Sequence, residues 1–237
     1  MVDLYRFPDV DTASKDGLLA MGGDLSPSML VSAYAQGIFP WFNQGQPILW
    51  WSPDPRMVLF PSEFKLSRSL RKTVRKHLYR VTANQQFVNV INACALRGNP
   101  PNQAEQETWI TREMQQAYTE LHHLGYAHSI EIWRDDTLVG GLYGLLLNHV
   151  FFGESMFSNE RDTSKIALFS LTRWLQHRGV KLIDCQVSSP HLASLGAREI
   201  ARTDFLHQLD EVDIHQANKN YFDGFEQFLT QNVITTL

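Results

Sequence analysis

Ser129-Ile-Glu-Ile-Trp-Arg-Asp-Asp-Thr-Leu-Val-Gly-Gly-Leu-Tyr-Gly-Leu-Leu-Leu-Asn-His-Val-Phe-Phe-Gly-Glu-Ser-Met156 is the stretch on which the fold turns. Its period is two, which predicts strands at 129–133, 138–146 and 150–156, the first two joined by the polar turn Arg134-Asp-Asp-Thr137. After it, residues 162–178 change to helical spacing, with Ala167, Leu168, Leu171, Trp174 and Leu175 inward and Gly179 as the stop. Residues 181–187 read as a buried strand, 191–195 as a short helix and 199–205 as a last strand, and the tail after Asp210 is polar and weakly patterned. Before the stretch, 86–95 and 111–124 read as helices, the second stopped by Gly125, with a polar loop at 97–106. A helix crossing between neighbouring strands makes the class α/β (α+β), a central mixed sheet flanked by helices.

Further out, Ser26-Pro27 starts a helix that Gly37 ends, with Met29, Leu30, Ala33 and Tyr34 as its apolar face. Pro47, Pro53 and Pro55 keep the following segment extended. The texture changes at Pro61-Ser62, so a small N-terminal domain at 1–62 and a larger catalytic domain at 63–237 are expected.

The 237 residues are 43% hydrophobic and 11% aromatic, which excludes a disordered chain. No apolar run approaches the ~20 residues of a membrane span. Asp3, Arg6, Asp9 and Asp11 stand where a signal peptide needs an apolar core, so a cytoplasmic protein without membrane contact is expected. Cys94 and Cys185, both among apolar neighbours, read as buried thiols of a reducing compartment. His122, His123 and His128 cluster without an HExxH pattern, so no metal is expected.

The net charge of −4 hides an asymmetry. Seven of the 21 Lys and Arg residues lie between Lys65 and Arg80, with no acid among them. Arg68, Arg71, Lys72, Arg75 and Lys76 share one face of a helix near 67–77, opposite Leu66, Leu70 and Val74. A solvated surface is the bland reading of such a face; a phosphate backbone is the sharper one.

The element order resembles the GNAT acetyltransferase superfamily, in which a hairpin with a bulged strand precedes a cofactor-binding helix. Gly140-Gly141 would suit that bulge by permitting a left-handed backbone. Coenzyme A would need backbone N–H groups in close approach to its pyrophosphate at the helix start. Ser158-Asn-Glu-Arg-Asp-Thr-Ser-Lys165 has no glycine and two acids there, so another acyl carrier is expected. The basic helix suits an RNA stem with an unpaired end.

Six ordered segments carry a closer resemblance: Gly17-Leu-Leu-Ala-Met-Gly-Gly-Asp24, Gly37-Ile-Phe-Pro-Trp-Phe42, Leu49-Trp-Trp-Ser-Pro-Asp-Pro-Arg56, Thr108-Trp-Ile-Thr-Arg112, Gly153-Glu-Ser-Met-Phe-Ser158 and Leu182-Ile-Asp-Cys-Gln-Val187. They resemble the leucyl/phenylalanyl-tRNA–protein transferase family. The resemblance implies transfer of Leu or Phe, and less well Met, from aminoacyl-tRNA to the N-terminal α-amine of proteins beginning with Arg or Lys. The product is an N-end rule degradation signal. It implies aminolysis of an ester by a monomer, with no cofactor.

By the same resemblance, Trp41 and Trp109 stack on the terminal adenosine, with Tyr34 and Tyr118 beside them. Leu142, Phe151, Leu168, Leu171, Leu175 and Ile183 form the aminoacyl pocket, Leu142 standing where methionine is expected and Leu171 where phenylalanine is expected. The charge pattern, in turn, assigns Arg68, Arg71, Lys72, Arg75 and Lys76 to the tRNA phosphates. Glu154, an acid in an apolar strand, needs a partner, either a protein cation or the acceptor's cationic residue. Asp184 and Gln186, two apart on a strand, face the same way and form the expected catalytic pair. Gln186 can accept a hydrogen bond from the attacking amine. Asp184 either polarises Gln186 or takes the proton, and a ribose hydroxyl is a third carrier. A coenzyme A acetyltransferase and a noncatalytic RNA-binding module are the competing classes.

Overall fold

In the computed structural model, residues 5–96, 108–209 and 217–234 are described, and the expected polar loop at 97–106 lies outside them. The chain runs β1 (Leu18–Met21), α1 (Pro27–Ala35), β2 (Phe39–Pro40), β3 (Leu49–Trp51), β4 (Arg56–Leu59), α2 (Arg68–Val74), β5 (Arg80–Ala83), α3 (Phe87–Ala95) and α4 (Arg112–Leu124). It continues with β6 (Ala127–Arg134), β7 (Thr137–Leu147), β8 (Val150–Ser158), α5 (Thr163–His177), β9 (Leu182–Gln186), α6 (Pro190–Ser194), β10 (Arg198–Ile200), α7 (Arg202–His207) and α8 (Phe225–Leu229). Helix ends follow their local chemistry. Ser26 Oγ accepts the Met29 N–H with Pro27 at the first position of α1, and Thr111 caps α4, which Gly125 ends at φ 94°.

Among the described residues two sheets form: a small one in the order β1-β3-β2 and a seven-stranded one in the order β10-β4-β9-β8-β7-β6-β5. All pairs are antiparallel except β8 with β9, which α5 links as a crossover. Alternation along β7 sends Tyr143 and Leu145 to one face, against α1, α3 and α4, and Leu142 and Leu146 to the other, against α5. Phe39, Phe42 and Trp50 belong to the first of these cores, which also holds Val90 and Tyr118. β4 lies before the expected boundary at residue 62 yet pairs with β9 and β10 inside the large sheet.

Four local expectations are corrected. Gly140-Gly141 is no left-handed bulge: neither glycine has positive φ. The extra residue opposite β6 is Val139, since Ile132 pairs with Gly140 and Trp133 with Leu138. These glycines serve close approach, because a Cβ on Gly140 would overlap Thr163 of α5, and one on Gly141 would lie 2.7 Å from the Ile130 carbonyl. The last strand stops at Ile200, and residues 202–207 turn into α7, burying Phe205. The basic helix ends at Val74, so Arg75 is its C-cap and Lys76 lies in the following turn. The tail is not loose polar chain where it is described: Tyr221, Phe222, Phe225 and Leu229 complete the core around Trp174.

Candidate active site

β8 and β9 pair over only three positions, Val150 with Leu182, Phe151 with Ile183 and Phe152 with Asp184. Beyond them the strands part, and a cavity of about 520 Å³ opens between them. Leu142, Phe151, Leu168, Leu171 and Ile183 make its apolar wall. Leu175 does not reach it; that side chain is fully buried in the core behind. Trp41 and Trp109 both stand on the wall, and Trp41 is 44% exposed.

Glu154 sits where β8 carries one residue too many: Tyr143 pairs with Ser155 and Gly144 with Gly153, leaving Glu154 as the bulge. The bulge turns its carboxylate toward α1 and α4. Tyr34 Oη donates to Oε1 at 2.7 Å, Tyr118 Oη to Oε2 at 3.0 Å, and Gln186 Nε2 to Oε1 at 2.8 Å. The two phenol oxygens also lie in contact with each other, and since each phenol has a single proton, all three contacts are hydrogen bonds only when the Glu154 carboxyl carries a proton as well. Burial pushes Glu154 up to about 7, against the three donors, which pull it down. Tyr34 and Tyr118 are therefore not stacking partners for adenosine. They are fully buried, lie off the cavity wall, and hold Glu154. Burial and the nearby carboxylate raise both phenols well above the usual range, so they remain donors.

Asp184 and Gln186 do not share a face. Met57 pairs with Gln186 and Val58 with Asp184, so Cys185 is an extra residue that breaks the alternation. Gln186 has φ 65° at the centre of a three-residue turn closed by Val187 N–H donating to the Cys185 carbonyl at 2.8 Å. That backbone is strained for a residue with a Cβ, and it delivers the Gln186 side chain to the cavity. Asp184 lies behind it, fully buried and off the wall. Arg56 Nε donates to its Oδ1 at 2.8 Å and Arg56 Nη2 to its Oδ2 at 2.7 Å, while the Gln186 N–H donates to Oδ1 at 2.9 Å. So occupied and off the wall, the carboxylate has no direct approach to a substrate in the cavity. Its contact with Gln186 is one of support.

Cys94 is buried as expected, but Cys185 is half-buried on the cavity wall. The turn before α5 bears no glycine, and its Glu160 and Asp162 are paired with Arg134 at 2.5 Å and Lys165 at 3.1 Å. Arg68, Arg71, Lys72, Arg75 and Lys76 are all exposed, while Leu70 buries the other side of α2. α2 stands beside the start of α5 through Thr73 Oγ1 donating to Asp162 Oδ2 at 3.3 Å. The same helix α5 presents Ser164 and Leu168 to the cavity, while none of the five cations lines it. Motif and spacing do not single out Arg56, although its signal is present. An arginine opening the apolar run Met57-Val-Leu59 and an aspartate inside Leu182-Ile-Asp-Cys185 each need a buried partner of opposite charge.

A family model described as leucyl/phenylalanyl-tRNA protein transferase matches residues 58–210, and one described as the N-terminal domain of that transferase matches residues 23–54. The leucyl/phenylalanyl-tRNA–protein transferase of Nitrosospira multiformis is 55% identical over 208 residues, 87% of this chain and 88% of its own. That of Nitrosomonas europaea is 53% identical over 221 residues, 92% of each chain. Among solved structures, an aminoglycoside acetyltransferase from an uncultured soil metagenomic sample is 10% identical with a TM-score of 0.38, over 57% of this chain and 89% of that one.

Proposed function

The chain belongs to the leucyl/phenylalanyl-tRNA–protein transferase family, an aminoacyltransferase acting from tRNA to protein, and from that premise we propose that it passes Leu or Phe, less well Met, to the α-amine of proteins beginning with Arg or Lys. The observation that carries the acceptor class is Glu154: a buried carboxylate at the edge of an apolar cavity, held by three neutral donors and paired with no cation among the described residues. An anion so placed, hydrogen-bonded but without a counter-charge, gains from a cationic guest.

In this reading the adenosine stacks on Trp41 and Trp109, each contact stabilising it by about 1–3 kcal/mol. The aminoacyl side chain enters the wall of Leu142, Phe151, Leu168, Leu171 and Ile183. A pocket of that kind separates side chains one methylene apart by only ~1–3 kcal/mol, which fits acceptance of more than one apolar residue. Gln186 donates its amide N–H to Glu154 and offers its carbonyl oxygen to the attacking amine. Asp184 positions Gln186 through the backbone N–H. The amine nitrogen forms the new amide bond as the bond from the carbonyl carbon to the ribose 3′ oxygen breaks, and the amine proton ends on that oxygen. Arg68, Arg71, Lys72, Arg75 and Lys76 hold the tRNA by its phosphates. The product is a degradation signal of the N-end rule, made in the cytoplasm by a monomer.

The test is transfer of radiolabelled Leu from Leu-tRNA to peptides that differ only in their first residue. Labelling of Arg- and Lys-initiated peptides is expected. Equal labelling of peptides beginning with Asp or Gly would refute the acceptor class.

A further inference from the structure

Arg56 has no part in the chemistry above, yet its guanidinium touches both halves of the cavity's framework. It is fully buried, with Nε and Nη2 forked onto Asp184 and Nη1 donating to the Gly37 carbonyl at 3.1 Å. Phe39 and Phe205 flank it, with ring centroids 4.8 and 4.6 Å from its central carbon. Gly37 leads into the segment that places Phe39, Pro40 and Trp41 on the wall. Asp184 leads the other way, through the Gln186 N–H at 2.9 Å and Gln186 Nε2 at 2.8 Å, to Glu154.

We propose that Arg56 is a positioning residue of the transfer reaction, fixing the Trp41 segment and the Gln186–Glu154 pair in one hydrogen-bonded frame. This rests on the proposed transferase activity, in which the ester lies at the first of these and the amine at the second. Ester and amine must meet within a few tenths of an ångström, and a displacement of 1 Å costs about a hundredfold in rate. Only a planar fork spans both anchors. A lysine would balance the Asp184 charge as a point but could not hold the carboxylate with two parallel bonds while also reaching Gly37. A purely electrostatic pair would tolerate that exchange; a frame would not.

Wild-type protein is assayed first with Leu-tRNA and an Arg-initiated peptide. If it transfers nothing, the functional reading fails. Given wild-type transfer, Arg56→Lys in the full chain should lower kcat by about tenfold or more, with the salt slope of tRNA affinity unchanged, since the phosphate-binding cations stay in place. Arg56→Ala should regain part of its kcat on addition of guanidinium ion and none on addition of methylammonium. A kcat for Arg56→Lys equal to wild type, or a loss in Arg56→Ala that guanidinium leaves untouched, overturns the assignment. Should neither variant fold, Phe205→Leu removes one flanking ring and no part of the cavity wall. It should lower kcat severalfold, and an unchanged kcat overturns the assignment equally.

Discussion

Two carboxylates are buried side by side in this site, and their surroundings differ in kind. Asp184 is closed off from the cavity and held by a guanidinium, so its charge is already compensated. Glu154 borders the cavity and is held by two phenols and an amide, so its charge is solvated but not neutralised. Neutral donors can replace water around an anion; they cannot replace a counterion. The first carboxylate carries its counter-charge within the fold; the second, on the proposed reading, takes it from the acceptor. Substitutions should therefore affect the two in opposite ways.

The largest effect is expected at Asp184. Asp184→Asn leaves Arg56 as an uncompensated buried cation, which costs about 3–5 kcal/mol. For a chain of this size that lowers Tm by about 10 °C. Turnover should fall with it while tRNA affinity stays near wild type. Glu154→Gln strands no cation, so its Tm should match or exceed that of wild type at pH 8. Equal losses of Tm in the two variants would erase the distinction between them.

Next in size is the pH dependence of stability. Burial raises Glu154 from 4.5 to about 7, so the folded state keeps a proton that the unfolded chain loses. Wild type should then lose stability relative to Glu154→Gln as pH rises from 4.5 to 7, by up to about 1.4 kcal/mol per unit. His128, buried against Phe222, is pushed down from 6.5 to about 3 and has the opposite sign. Its contribution is complete above 6.5 and is lost as pH falls toward 3. Urea titrations from pH 4 to 8 on wild type, Glu154→Gln and His128→Phe separate the two slopes. A Glu154→Gln profile parallel to wild type would contradict the shift.

The smallest effect on stability is expected on α2 and the turn after it, where the cations are exposed to solvent. Arg71 and Arg75 replaced together by Ala should change stability by no more than about 0.5 kcal/mol. The slope of log tRNA affinity against log salt should nevertheless flatten by up to about 2, at roughly 0.7–0.9 for each phosphate that is no longer neutralised. An unchanged slope would return the face to a solvated surface.

Local structure is legible in this sequence, and long-range pairing much less so. α5 follows from Ala167, Leu168, Leu171, Trp174 and Leu175 at helical spacing, and the β6–β7 hairpin from alternation around Asp135-Asp136. The last strand ends earlier than its pattern implies, because Phe205 and Leu206 fit a strand or a six-residue helix equally well. Trp41 and Trp109 reach the cavity as the family motifs imply. Tyr34 and Tyr118 do not, because their hydroxyls are drawn to Glu154, 120 and 36 residues away in the chain. The bulges at Glu154 and Cys185 are equally hidden. Each depends on the register of a neighbouring strand and leaves no mark in local composition.

If Glu154 receives a cationic guest, the charge of the peptide's first residue must decide how well it is used. The most direct measurement compares transfer of Leu to peptides beginning with Arg or with its neutral isostere citrulline, at pH 8, by wild type and Glu154→Gln. Wild type should favour Arg by about 10- to 100-fold, the equivalent of a charge-assisted hydrogen bond of roughly 1.5–3 kcal/mol. Glu154→Gln should bring the two peptides to near equality. A variant that keeps the full preference for Arg would contradict the account.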